Sequence, residues 1–222
     1  MVIGLIFFPI TDNFAQIQNP CWIVPPADVK FNSSGISSIT NLNIPIYMCS
    51  DGNGPANGIC DNSNNLLFFL IDGTLYDGSG NFVDNFWDTY ICPIKKINKP
   101  KTVPGRNHGN EVLIIPVPDN CNKYYVIYTR GITFNYVFYS VVDVSTGSVQ
   151  VPVKDQYITT APQYIIPTFA VSNLKNDLGF NYHRLYIVGN GVEKYIIDQF
   201  SVYFSNSILS GSGLSYQGLE AD

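Results

Sequence analysis

Two apolar runs follow each other near the middle of the chain, Lys123-Tyr-Tyr-Val-Ile-Tyr-Thr129 and Tyr136-Val-Phe-Tyr-Ser-Val-Val-Asp-Val144. Both are rich in β-branched and aromatic residues, and the turn sequence Ser145-Thr-Gly147 ends the second run. Because neither run has the 3.6-residue periodicity of an amphipathic helix, they predict neighbouring antiparallel strands. The same pattern extends along the chain in both directions.

Short β-rich runs separated by Gly/Asn/Asp turns recur upstream and downstream. Asn65–Ile71 and Thr74–Tyr76 form one group, and Tyr182–Val188 and Glu193–Asp198 belong to another. The groups repeat at about 60 residues, a spacing that indicates repeated four-stranded units. The sequence therefore predicts an all-β fold, a partial β-propeller of about three four-stranded antiparallel blades. A β-sandwich is the alternative, since it uses the same short strands and turns.

The N-terminus has the features of an export signal. The apolar run Val2–Ile10 has the length of a signal-peptide core, and Ala15 offers a small residue for cleavage. The usual basic segment is absent, so the alternative is a buried first strand. We expect a clipped signal peptide over residues 1–16, a β domain over 17–206, and a Gly/Ser-rich tail or a truncated next blade over 207–222. No membrane span is expected, and the protein is predicted to be secreted or at the cell surface.

The cysteine pattern favours disulfides over a metal site. No CxxC pair occurs, and neither His108 nor His183 lies near a cysteine in sequence, so a zinc site is poorly supported. In an exported chain disulfides are the default. The predicted bond is Cys49–Cys60, which brackets a Gly/Asn/Pro loop. A Cys92–Cys121 bond is a weaker prediction, and Cys21 then lacks a partner.

The charge pattern excludes a nucleic-acid partner. Charged residues are 13% of the chain, about half the usual share, and the net charge is −5. Binding to nucleic acid requires positive charge that neutralises phosphates. The only dense basic group is predicted to be a solvated loop, formed by Lys95, Lys96, Lys99 and Lys101.

One acidic segment offers oxygen ligands of the kind that calcium prefers. The candidate ligands are Asp72, Asp77, Asn81 and Asp84. The segment lacks the EF-hand spacing and its terminal bidentate Glu. The alternative is a pair of hairpin turns in which Asp and Asn are chosen for turn geometry. Residues 51–61 form a second and weaker candidate.

Catalytic motifs are not found in the sequence. There is no Gly-x-Ser-x-Gly elbow, neither histidine lies in a recognisable motif, and no glycine-rich turn opens a helix. Four carboxylates lie in or beside predicted strands: Glu111, Asp143, Glu193 and Asp198. Asp143 and Asp198 follow apolar runs at comparable places in two units, which indicates a shared turn or blade contact.

Aromatic residues crowd the middle of the chain: Tyr124, Tyr125, Tyr128, Tyr136, Phe138 and Tyr139. Alternate residues of a strand face opposite sides, so half of this group is expected to fill the core between sheets. The other half could form a stacking surface for sugars. Trp22 and Trp87 have the same two interpretations.

Four segments together resemble a known family: Cys49–Gly52, Asn64–Asp77, Val112–Tyr128 and Tyr139–Val144. They are similar to the N-terminal propeller-like region of large secreted Bacteroidetes surface proteins over roughly residues 20–205. That resemblance implies type IX secretion, gliding motility or a related surface role. The family continues with more blades and a C-terminal sorting domain, which this sequence lacks. The resemblance therefore implies a fragment, a truncated gene or a short relative that works in an assembly.

These observations predict a non-enzymatic extracellular binding, adhesion or assembly module with a glycan or protein partner at the cell surface. The alternative is a secreted hydrolase that acts on polysaccharide through carboxylates. No cofactor is expected apart from the calcium candidate. Because three blades cannot close a ring, their exposed faces and edges also predict self-association.

Overall fold

The computed structural model describes residues 21–24, 27–32, 35–41, 56–61, 63–71, 73–86, 112–130, 135–161, 167–177, 179–189 and 191–210. Within these ranges the chain forms strands and turns and no helix, which confirms the predicted all-β class. It follows that no described segment is a helix long and apolar enough to cross a membrane.

The strands form four antiparallel sheets, each made of consecutive strands. Sheet I contains β1 (Cys21–Val24), β2 (Ala27–Asn32) and β3 (Gly35–Asn41). Sheet II contains β4 (Ala56–Cys60), β5 (Leu66–Ile71), β6 (Thr74–Asp77) and β7 (Phe82–Asn85). Sheet III contains β8 (Val112–Val117), β9 (Asn120–Arg130), β10 (Asn135–Asp143) and β11 (Gln150–Ala161). Sheet IV contains β12 (Thr168–Val171), β14 (Phe180–Val188), β15 (Gly191–Ile197) and β16 (Val202–Ser210), with β13 (Lys175–Asp177) paired to β14 alone.

Strands β8, β9 and β10 of sheet III contribute buried residues to a core on each face, whereas β11 is mostly exposed. One core cluster joins sheet III to sheet II and includes Phe68 and Leu75 from sheet II. A second cluster joins sheet III to sheet IV and includes Leu185 and Ile197 from sheet IV. The three sheets therefore stack as layers with sheet III in the middle, and each interface has its own hydrophobic core.

The alternation of side chains along β9 explains how one strand serves two cores. Tyr124, Val126 and Tyr128 contribute to the cluster with sheet II, and Tyr125 and Ile127 contribute to the cluster with sheet IV. Successive residues of a strand point to opposite faces, so a continuous apolar run is required where both faces are covered.

The last strand of each of sheets II, III and IV contains residues that have no partner on the neighbouring strand. The register of β7 on β6 shifts once, between Leu75 and Tyr76. The register of β11 on β10 shifts at three places, and that of β16 on β15 shifts at two. Each shift is a β-bulge that leaves one residue of the outer strand unpaired and increases the local twist.

Two strands include residues with little apolar alternation. The polar segment between β12 and β14 contains β13, which pairs with β14 through a turn at Gly179, where φ is +84°. The sequence of β13 is polar because both of its faces are largely solvated, so it lacks the apolar alternation that marks a strand. β16 continues to Ser210 and so includes the first four residues of the segment 207–222.

Candidate functional site

The predicted calcium ligands that the structure describes have hydrogen-bond or ion-pair partners within the protein. Asp77 accepts hydrogen bonds through Oδ1 from the backbone N–H groups of Ser79 and Asn81, at 2.9 and 2.8 Å. Its Oδ2 accepts from Asn81 Nδ2 at 2.9 Å. Asp84 instead forms an ion pair with Lys154 of β11. The described contacts match the hairpin-turn alternative, whereas Asp72 lies outside the described residues, so calcium stays an untested prediction.

The pKa of the Asp77 carboxyl reflects this turn. Partial burial is the largest single influence and raises the pKa, but the hydrogen bonds from Asn81, Ser79 and Gly80 together lower it below the usual value for an aspartate. The carboxylate is thus held ionised by turn N–H donors. Across the described residues, no group of three His, Cys, Asp or Glu side chains is arranged to hold a metal ion.

Asp61 forms the same turn at the β4–β5 hairpin. Its Oδ1 accepts from the N–H groups of Ser63 and Asn65, and its Oδ2 accepts from Asn65 Nδ2. The fourth residue of each turn has positive φ, Asn64 at +63° and Gly80 at +86°. Glycine and asparagine tolerate that conformation, so turn geometry explains both acidic segments as far as they are described.

The two carboxylates predicted to share a role do share one. Asp143 accepts from the Ser145 N–H after β10, and Asp198 accepts from the Phe200 and Ser201 N–H groups after β15. Together with Asp77 after β6, an aspartate thus closes the last hairpin of sheets II, III and IV. Glu193 accepts a hydrogen bond from the Tyr195 hydroxyl at 2.7 Å, and Glu111 lies outside the described residues.

The predicted aromatic group divides between core and surface. Tyr124, Tyr125 and Tyr128 are buried, and Tyr139 packs edge-on against Tyr125 with 5.5 Å between ring centroids. Tyr136 is 38% exposed. The side chains of Trp22 and Trp87 lie outside the described residues.

A polar cluster crosses three strands of sheet III beside the exposed aromatics. The Tyr128 hydroxyl donates to Asp155 Oδ1 and lies 3.0 Å from Ser140 Oγ. The Asp155 N–H also donates to Ser140 Oγ, at 3.1 Å. Burial, and then the bond to Asp155, raise the pKa of the Tyr128 phenol, which therefore stays protonated and acts as a donor. Asp155 has a φ of +54°, an uncommon conformation for a residue other than glycine.

Arg130 connects this polar cluster to the aromatic rings. Its Nη1 lies 3.0 Å from Asp155 Oδ2, and its guanidinium carbon lies 4.4 Å from the centroid of the Phe138 ring. A guanidinium in this position is attracted by the face of the ring. The ion pair is partly exposed, with 23% of the Arg130 side chain and 33% of the Asp155 side chain accessible.

Three rings next to this pair form what we call the aromatic surface: Tyr136, Phe138 and Tyr157. Tyr157 is 57% exposed and packs edge-on against Phe138, with 6.0 Å between centroids and an interplanar angle of 75°. Its hydroxyl lies 2.7 Å from Thr160 Oγ1 on the same strand. Two contacts therefore fix an exposed ring in place.

Sequence analysis found two of these rings and missed the rest of the site. Tyr157 and Asp155 lie on β11 and Arg130 ends β9, and no sequence motif links the three residues to one another. The signal was present in the alternation of Tyr157 with polar residues, but three bulges disrupt the period of this strand.

The cysteine predictions remain largely outside the described structure. Cys60 ends β4, while Cys49 and Cys92 lie outside the described residues, so the Cys49–Cys60 bond stays a prediction. Cys121 is an exposed free thiol, so the predicted Cys92–Cys121 bond is wrong. Comparisons with known proteins find no matching family model, no matching curated protein and no matching solved structure.

Proposed function

We propose that this chain is a non-enzymatic extracellular binding module that contacts its partner through the aromatic surface. The observation that carries the proposal is the Tyr157 ring, which is 57% exposed yet held by Thr160 and Phe138. Large exposed aromatic rings cost solvation energy, and fixed ones lose little conformational entropy when a partner packs on them. The partner is a glycan or a protein at the cell surface.

We further propose that sheets II, III and IV are consecutive blades of a partial β-propeller. Each has four strands in sequential order, apart from the accessory strand β13, and an aspartate closes the last hairpin of each. The two hydrophobic clusters on opposite faces of sheet III support face-to-face stacking of successive blades. A layered sandwich of three sheets is the alternative.

We also propose that the protein is secreted or displayed at the cell surface. The apolar run Val2–Ile10 and the low share of charged residues support it. The described aspartates near the aromatic surface are held in ion pairs with Lys154 and Arg130, which supports binding without turnover. The resemblance to secreted Bacteroidetes surface proteins is consistent with the same assignment.

The test is a binding screen of the full chain on a glycan array and on a panel of purified surface proteins, combined with an assay for polysaccharide cleavage. We expect a ligand whose binding is lost in Tyr157→Ala and retained in Phe200→Ala. Phe200 is the matched control because it is an aromatic residue, 81% exposed, in the β15–β16 turn. Turnover that disappears when one carboxylate is replaced would instead establish the hydrolase alternative.

A further inference from the structure

The exposed ring of Tyr157 is oriented along its own strand. The hydroxyl is tied to Thr160 Oγ1 at 2.7 Å, and Phe138 supports the ring from the side, at 6.0 Å between centroids. An aromatic face in this position packs on flat apolar C–H surfaces, and the ring loses few rotamers in doing so. Pyranose rings present such C–H surfaces.

The charges beside the aromatic surface cancel. Arg130 pairs with Asp155 at 3.0 Å, and Lys154, next to Asp155 in the chain, pairs with Asp84 at 2.7 Å. Each cation already has a carboxylate partner, so the site has no net positive charge to attract a uronate or a sulfate. An acidic ligand would have to compete with a carboxylate that is already in place.

Polar groups beside the aromatic surface can form hydrogen bonds with the hydroxyl groups of a sugar. The Asp155 carboxylate accepts from Tyr128 through Oδ1 and from Arg130 through Oδ2, and an ionised carboxylate has about four lone-pair sites. Its remaining lone pairs can accept from sugar hydroxyls, because a third of the side chain is accessible. The exposed Thr160 hydroxyl, in register with Tyr136, lies 2.7 Å from the Tyr157 hydroxyl and adds a second polar group.

We infer that the aromatic surface binds a neutral glycan, with Tyr157 stacked on a pyranose ring and Asp155 accepting hydrogen bonds from its hydroxyls. This inference rests on the proposed function, because it names the class of ligand for the same surface. The paired charges argue against an acidic polysaccharide, and the exposed ring beside hydrogen-bond acceptors favours a sugar over a protein partner.

The experiment is isothermal titration of the full chain with neutral hexasaccharides built from glucose, mannose, galactose or xylose, and with hexagalacturonate as the acidic probe. We expect at least one neutral probe to bind and the acidic probe not to. Raising the salt from about 50 to about 500 mM should change the affinity by less than about twofold, because no net charge is neutralised. Tyr157→Ala should weaken binding about tenfold or more, and Tyr157→Phe should retain most of it.

The variants separate failure of the inference from failure of the proposed function. Phe200→Ala, with circular dichroism of every variant, controls for folding. Tyr157-dependent binding of hexagalacturonate, with strong salt dependence, or of a protein alone would overturn the neutral-glycan inference and leave the proposed function standing. If neither glycans nor surface proteins bind in a Tyr157-dependent manner, both are wrong.

Discussion

The hydroxyl of Tyr128 on β9 donates a hydrogen bond to the carboxylate of Asp155 on β11, although β10 lies between these strands. Ser140 of β10 completes the connection, since its hydroxyl receives the Asp155 N–H. Side chains from two strands, Tyr128 of β9 and Ser140 of β10, therefore hold Asp155, a residue of positive φ at a bulge of β11. Side-chain hydrogen bonds thus fix the strand that presents Tyr157.

Removing the Tyr128 hydroxyl should weaken this arrangement. Tyr128→Phe keeps the stacked contact with Phe86, at 5.1 Å between centroids, but deprives the Asp155 carboxylate of a donor. We expect a loss of about 1–2 kcal/mol in the free energy of unfolding, measured by urea denaturation. Tyr157→Phe removes an exposed hydroxyl from the same sheet and should cost less than about 0.5 kcal/mol. Equal losses in the two variants would contradict the role assigned to Tyr128.

Because β8 contributes to a core on each face of sheet III, we predict that substitutions at two consecutive residues of β8 lower the free energy of unfolding by similar amounts. Ile114 belongs to the core with sheet II and Ile115 to the core with sheet IV, and both are buried. Ile114→Val and Ile115→Val should each cost about 0.5–1.5 kcal/mol in denaturant titrations. Val153→Ala, at a residue 37% exposed, should be nearly neutral. A cost for only one isoleucine would indicate that one face of the sheet is uncovered in solution.

Gly78 is required by a close approach of two backbones. A Cβ at this residue would lie 1.9 Å from the carbonyl oxygen of Leu66, which cannot move without disturbing β5. Gly78→Ala should therefore destabilise the protein by about 1–3 kcal/mol. Gly189→Ala is the matched control, because its added Cβ would only reach ordinary contact with Ala161 at 3.5 Å. Thermal melts of both variants decide the prediction, and a loss in Gly189→Ala as large as in Gly78→Ala would contradict it.

His183 should make stability depend on pH. Burial lowers its pKa below the value of 6.5, although a hydrogen bond to the Ser172 carbonyl partly opposes this shift. The folded protein then binds fewer protons than the unfolded chain, so stability declines as the pH falls from about 6.5 through the lowered pKa. Urea midpoints measured between pH 7.5 and 5 should fall in the wild type and change less in His183→Gln. Identical pH profiles would refute this assignment.

Much of the fold could be predicted from the sequence, because apolar runs and turn residues mark the centres of β5, β9, β10 and β14. The ends of β11 and β16 could not, because unpaired bulge residues break the two-residue period on which the prediction relies. For the site, Tyr136 and Phe138 were found as aromatics of a strand. The partners Arg130 and Asp155 lie 25 residues apart in the chain, and only the folded sheet brings them together.

The bulges of β7, β11 and β16 also affect how readily a strand from another molecule can pair with these strands. Growth of a cross-β fibril requires a flat edge whose N–H and C=O groups repeat without interruption. A foreign strand laid along β11 would meet three changes of register, and one laid along β16 would meet two. Because β16 has no charged residue, we expect its extra residues, and not electrostatic repulsion, to disfavour pairing of a foreign strand along it. Straightening β16 by deleting Ser205 and Ile208 would be expected to convert this edge into a nucleus for fibrils.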